Sequence, residues 1–305
     1  MTTWQDIYEG LEDMSIKGGS DIGVAAARSF SLYVQDSIKK NEKYLTKAQI
    51  FGKKIKALKP SMGTVHNVIN DLLKILEDNQ RSADVALKAM DDYLNQYQKR
   101  IEDSLLSMAY IAAHRIDDGD CILTHSYTRS IVLAFEKALE IGKKFSVYCP
   151  ESRPLREGAY LASLLSGMGL DTTLITDAAV AKYMSKVSKV VFGADAIYVD
   201  GTVVNKMGTL GFSIIAQKFN KPVYVLSISA KLFLPSLDGK KLEMEKRPES
   251  EILTEEALEK NSKLAIENVF FEEVPPENIT YLVTEKGILK PSQLFSLYSH
   301  DERIN

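Results

Sequence analysis

A change of rhythm near residue 119 restricts the fold more than any other feature of this chain. Downstream of the turn residues Asp117, Asp118 and Gly119, the short apolar runs "CILT", "FSVYC", "TTLIT", "KVVFGA", "PVYVLS" and "ITYLVT" alternate with helical patterns over 129–142, 156–168, 178–185 and 208–219. Strand and helix in strict alternation predict a mainly parallel sheet wrapped on both faces. Upstream the period is helical. "DIGVAAARSFSLYVQDSI" sets Ile22, Ala26, Phe30, Tyr33 and Val34 on one face, and "SMGTVHNVINDLLKILE" does so with Val65, Val68, Ile69, Leu72 and Leu76. From Asp84 to Ile111 an apolar stripe through Leu87, Met90, Leu94, Ile101, Leu105 and Met108 runs on without Gly or Pro. These patterns predict a helical N-terminal domain over 1–112 and an α/β domain over 113–305. A last helix is expected after Pro291, which suits a first helical turn. The charged stretch of about 236–262 is expected to form an excursion over a pocket.

Composition narrows the function classes. A net charge of -3 argues against a broad nucleic-acid-binding surface but leaves room for a local basic pocket. Two cysteines, Cys121 and Cys149, make neither a disulfide framework nor a metal-ligand spacing, so a reducing compartment and no metal are expected. "MTTWQDIYEGLEDM" is acidic and amphipathic rather than a secretory signal. No apolar run approaches the roughly 18 residues of a membrane span. A cytoplasmic protein with no membrane partner is expected.

In open parallel sheets ligands bind beyond the carboxyl ends of the strands. The polar residues at or just beyond the ends of these runs put Ser126, Arg153, Asp177, Asp195, Asn205 and Lys206 on one edge. Helices expected to start near Thr128, Pro154 and Gly208 add backbone N–H groups that attract phosphate. A phosphorylated small molecule is the expected ligand, since neither a dinucleotide fingerprint nor a P-loop motif is present. At these positions Asp177 reads first as a helix cap and His125 as a satisfied core histidine.

"RIDDGDCILTHSYTRSIVLAFEKA", "YCPESRPLREGAYLASLLSGMGLDTTLITDAAV" and "VVFGADAIYVDGTVVNKMGTLGFSIIAQKFNKPVYVLS" resemble the alpha, beta and delta subunits of translation initiation factor 2B. The same signatures occur in the related isomerases of ribose-1,5-bisphosphate and methylthioribose-1-phosphate, although "THSYTRS" resembles the factor's alpha subunit more than any isomerase segment. The resemblance implies a helical N-terminal domain, a Rossmann-like C-terminal domain, and a homodimer formed through the latter. It implies that Asp195 holds the place of the isomerases' catalytic Asp, whereas Ser126 stands where they carry a catalytic Cys. Lys17, Gly18 and Gly19 correspond to a phosphate-holding Arg-Gly-Ala loop, and Lys59 to the Arg of an Arg-Pro-Thr segment. Glu157 stands where the isomerases have Gln. A serine hydroxyl is a far weaker acid than a thiol. The expectation is therefore a non-catalytic regulatory subunit without a cofactor. It would bind initiation factor 2 through its alpha subunit, or other 2B-like subunits, and hold a sugar phosphate or nucleotide monophosphate at Lys17, Gly18, Gly19, Lys59, Ser126, Arg153, Asn205 and Lys206. The alternative is an aldose–ketose isomerase of a phosphorylated ribose, using Asp195.

Overall fold

The computed structural model describes residues 3–16, 18–40, 42–260 and 263–295. Five helices come first: α1 (Trp4–Glu12), α2 (Gly19–Lys39), α3 (Tyr44–Leu58), α4 (Gly63–Asp78) and α5 (Ala83–Ala113). Local chemistry sets several of their ends. Thr3 and Asp6 exchange hydrogen bonds in a capping box at α1, and the Ser82 hydroxyl accepts from Val85 N–H at α5. The expected apolar faces turn inward: Ile22, Ala26, Phe30 and Val34 on α2 and Val65, Val68, Ile69, Leu72 and Leu76 on α4 are all buried. Tyr33 stays half-buried and stacks on Phe51 with ring centroids 4.0 Å apart. On α5, Met90, Ile101, Leu105 and Met108 are buried, while Leu87 and Leu94 sit at the margin of the core.

The remainder runs β1 (Cys121–Leu123), α6 (Arg129–Glu140), β2 (Ser146–Pro150), α7 (Glu157–Gly167), β3 (Asp171–Ile175), α8 (Val180–Tyr183) and β4 (Lys189–Phe192). It continues through β5 (Ala196–Tyr198), β6 (Val203–Lys206), α9 (Thr209–Lys218), β7 (Val223–Leu226), β8 (Leu232–Phe233), α10 (Glu255–Lys260), β9 (Phe271–Val274), β10 (Tyr281–Thr284) and β11 (Gly287–Leu289). Each of the six apolar runs contributes a strand to one sheet of order β11-β10-β7-β4-β1-β2-β3. Its pairings are parallel except for β11 on β10. The fold is thus the α/β class expected, helical first and then a mainly parallel sheet.

Alternate residues of β1 divide the interior, as the two-residue period of a strand requires. Ile122 joins a core shared with Leu11, Phe30, Met108, Phe135 and Val283, whereas Leu123 joins Val190, Phe192, Phe212, Val225 and Leu282 on the other face. The helical half is docked on the first face through α5, which packs against α6 and β10.

A second sheet, β8-β5-β6-β9, was not expected. Its strands are two to four residues long, too short for a periodic pattern, and β5 and β6 are wholly buried. Of the 236–262 stretch, residues 236–260 fold as short turns with α10, and Glu245, Arg247 and Glu251 face inward instead of roofing a pocket. After Pro291 there is a 3-10 turn, Pro291–Gln293, and the rest of the expected helix lies mostly outside the described residues. Among the described residues no helix is long and apolar enough to cross a membrane.

Gly158, the second residue of α7, brings that helix directly onto the end of β2. A Cβ there would run into the Pro150 carbonyl oxygen and come within 2.6 Å of Ser152 Oγ. Because the obstacle is backbone, it cannot swing aside. Gly158→Ala should lower the unfolding free energy by about 3 kcal/mol, read as a shift in the urea midpoint at unchanged slope.

Candidate active site

β1 is flanked by β2 on one side and β4 on the other, so the loops leaving their carboxyl ends diverge. The crevice between them is the switch point at which open α/β sheets bind ligands. Here it holds a pocket of about 810 Å³ including its open mouth. His125, Ser126, Tyr127 and Thr128 enter it from the loop after β1, and Ala194 and Asp195 from the loop after β4. Asn205 comes from β6. Gly18 and Gly19 at the start of α2, Glu157 and Tyr160 of α7, and Phe270 and Phe271 complete the wall.

Asp195 shows only a small face to the pocket and is otherwise enclosed by protein. Burial raises its carboxyl to about 6, against the pull of Lys231, while Glu245 and Glu157 push it in the same direction as burial. Lys231 is itself buried and donates to the Ala194 carbonyl at 2.6 Å. The approach of α2 depends on Gly19, since a Cβ there would stand 2.9 Å from Asp195 Oδ1 and 3.6 Å from Lys231 Nζ.

The turn after β1 is held by a chain of hydrogen bonds. Ser126 has φ 60 and Ser152 has φ 60, a left-handed backbone that costs a non-glycine residue on the order of 1 kcal/mol. His125 Nε2 lies 2.9 Å from the Met207 carbonyl, which can only accept, so Nε2 carries the proton and Nδ1 is an acceptor. Ser152 Oγ, 3.0 Å from Nδ1, therefore donates to it and accepts from Ser126 N–H at 2.8 Å. Burial lowers His125 to about 4, in keeping with a neutral ring. His125 is a structural post, and both its nitrogens are in use.

Buried lysines and carboxylates are paired around the wall. Lys206 Nζ is 3.1 Å from Glu157 Oε1 and 3.2 Å from the centre of the Phe270 ring. Lys59 lies behind the pocket, 3.3 Å from Glu245 and 2.8 Å from Met14 Sδ, and Arg247 joins Glu245 to Glu251. Glu157 Oε2 and Glu245 Oε2 are buried without a hydrogen-bond partner. Two helix starts at the pocket also lack side-chain caps, α2 at Gly18 and α6 at Thr128. Arg129 binds Glu102 at 2.6 and 2.7 Å and Asp21 at 3.0 Å, clamping these two helix starts together through α5.

Not every residue assigned to the edge reaches the pocket. Gly18, Gly19, Ser126, Asp195 and Asn205 line it; Lys59 and Lys206 stand behind the wall in their ion pairs; and Lys17 lies outside the described residues. Arg153 is exposed, with its guanidinium on the carbonyls of Pro154 and Ile252. Asp177 bonds back across the sheet edge to the N–H groups of Ser152 and Arg153, each at 2.8 Å, so it braces the β2 loop. The α9 start near Gly208 is already occupied, because Glu272 Oε1 accepts from Gly208 and Leu210 N–H. Lys231 and the Phe270–Phe271 wall had no local signal, since one ends a short turn and the other starts a four-residue strand, both far along the chain.

The fold is that of an α/β protein whose switch-point crevice is lined by two carboxyl groups, Asp195 and Glu157, and by two helix starts without side-chain caps. The chain belongs to the initiation factor 2 subunit family, whose sequence model matches residues 15–291. It is 31% identical over 288 residues to the ribose 1,5-bisphosphate isomerase of Methanocaldococcus jannaschii, covering 94% of this chain and 91% of the relative. It is 31% identical over 310 residues to the 5-deoxyribose 1-phosphate isomerase of Clostridium botulinum strain Loch Maree, covering 95% and 87%. A translation initiation factor eIF-2B from Pyrococcus horikoshii superposes with a TM-score of 0.75 at 26% identity, over 94% of this chain and 98% of that one. The expected assignment as a non-catalytic regulatory subunit is overturned by the full-length relatives, which are named as sugar-phosphate isomerases.

Ser152→Ala removes the acceptor of a buried N–H and the donor to His125. It should destabilise the protein by about 1–3 kcal/mol and loosen the Ser126 turn, seen as faster amide exchange at Ser126 than at neighbours in β1.

Proposed function

We propose that this chain is an aldose–ketose isomerase acting on a phosphorylated ribose. The observation that carries the reading is Asp195, an acid raised to about 6 on the wall of a pocket where two uncapped helix starts offer backbone N–H groups to phosphate. The substrate class comes from the relatives' names, ribose 1,5-bisphosphate and 5-deoxyribose 1-phosphate.

A group with that proton affinity is suited to give a proton to the ring oxygen of an aldose 1-phosphate and open the ring. Gly18, Gly19 and Asn205 bind the sugar phosphate, and Lys59 and Lys206 add positive charge from behind the wall. Ser126 hydrogen-bonds the sugar, its hydroxyl being too weak an acid to replace a thiolate. Lys17 belongs to the same phosphate loop by its position before Gly18, and Arg153 plays no direct part. A homodimer through the sheet-bearing half completes the reading.

Turnover assays with ribose 1,5-bisphosphate and 5-deoxyribose 1-phosphate test it. The wild type should yield ketose from at least one, and Asp195→Asn should be slower by about 10²–10⁴-fold, the usual worth of a positioned proton donor. No ketose from either sugar would sink the reading.

The pH profile supplies a second test. Asp195 acts in its protonated form, so kcat/KM, which reports the free enzyme, should fall as pH rises past about 6. The break in kcat should lie higher, because a bound phosphate dianion favours the neutral carboxyl. A kcat/KM that instead rose with pH through this range would rule out proton donation.

A further inference from the structure

Glu157 is the first residue of α7 and lines the pocket, with one carboxylate oxygen committed and the other without a hydrogen-bond partner. Oε1 is held by Lys206, whose ammonium is itself pinned over the Phe270 ring, while Oε2 is buried and unpartnered. The backbone beneath it is equally constrained, since Gly158 seats α7 on Pro150 and Ser152. Leaving a buried oxygen unsatisfied costs about 1–3 kcal/mol, and of the two carboxylates that do so, Glu157 and Glu245, Glu157 is the one that lines the pocket. A carboxylate held in place on the wall of a ligand pocket, with one oxygen still lacking a partner, is a candidate general base.

We propose that Glu157 is the second proton carrier of the site, supplying the base that Ser126 cannot. The inference rests on the isomerase reading and deepens it. Asp195 gives its proton to the ring oxygen, the C1–O bond breaks, and C1 is left electron-poor. Glu157 Oε2 takes the proton from C2, and that electron pair becomes the C1–C2 double bond of an enol phosphate. Glu157 then returns the proton to C1 while the C2 hydroxyl loses its own to Asp195. The ketone forms, both carboxyl groups regain their starting states, and no oxidant, reductant or metal enters the balance. The Glu157 charge is among those that help Asp195 keep its proton.

Glu157→Gln preserves shape and tests the proposal with whichever sugar phosphate the wild type converts. The expected result is a kcat lower by about 10²–10⁴-fold with KM within a few-fold and a thermal midpoint close to wild type. Glu157→Ala with added formate is the companion variant, and turnover should recover with formate concentration as the small carboxylate fills the vacated place. A kcat within threefold of wild type, or a loss confined to KM, would overturn the proposal and make Glu157 a hydrogen-bond acceptor for a sugar hydroxyl. Failure of formate to restore any turnover to a folded Glu157→Ala protein would also count against it. An inactive wild type would instead bring down the isomerase reading itself.

Discussion

β1 pairs in parallel with β2 on one side and β4 on the other, so the chain leaves its carboxyl end in one direction and later returns along the opposite one. Backbone diverging from adjacent strand ends cannot close over the gap between them. That gap receives the 125–128 loop from one strand and Ala194–Asp195 from the other. Everything else around the pocket serves to wall this opening. The second sheet carries Asn205 and Lys206, and α2 brings Gly19 so close to Asp195 and Lys231 that a Cβ would meet both.

The charges placed there are costly to bury. Lys59, Lys206 and Lys231 are almost fully enclosed, and burial lowers the proton affinity of each. Ion pairs with Glu245 and Glu157, and the Ala194 carbonyl under Lys231, offset that cost without satisfying every atom. The remaining unpaired oxygens on Glu157 and Glu245 mark where stability has been given up. Such concessions concentrate at functional sites, where a ligand supplies the missing partner. The left-handed turns at Ser126 and Ser152 belong to the same pattern, held by one hydroxyl and one neutral imidazole.

Residue patterns reported the architecture better than the chemistry. The runs "CILT" and "KVVFGA" are mostly apolar because their strands are largely buried on both faces, so their existence and the polar residues beyond them could be read directly. Arg153 and Asp177 stand at strand ends equally well, yet they sit at the β2–β3 edge of the sheet and engage each other's backbone and side chain. Sequence position cannot distinguish a strand end at the switch point from one at the margin. Position 126 misled in another way. The loss of a thiol is a statement about one side chain, whereas a pocket's capacity for proton transfer depends on every titratable group that faces it.

By itself the sequence determined a helical half, a mainly parallel sheet and the nearness of Ser126 and Asp195, because apolar period and strand-end position are local properties. The resemblance also marked Glu157 as a departure, a carboxylate where the isomerases have Gln. The tertiary structure alone decided that Lys206 reaches Glu157 across 49 residues, that Lys59 meets Glu245 across 186, and that Lys231 stands by Asp195. Those pairings link segments whose separation leaves no periodic trace, and only the folded chain brings their charges close enough to interact.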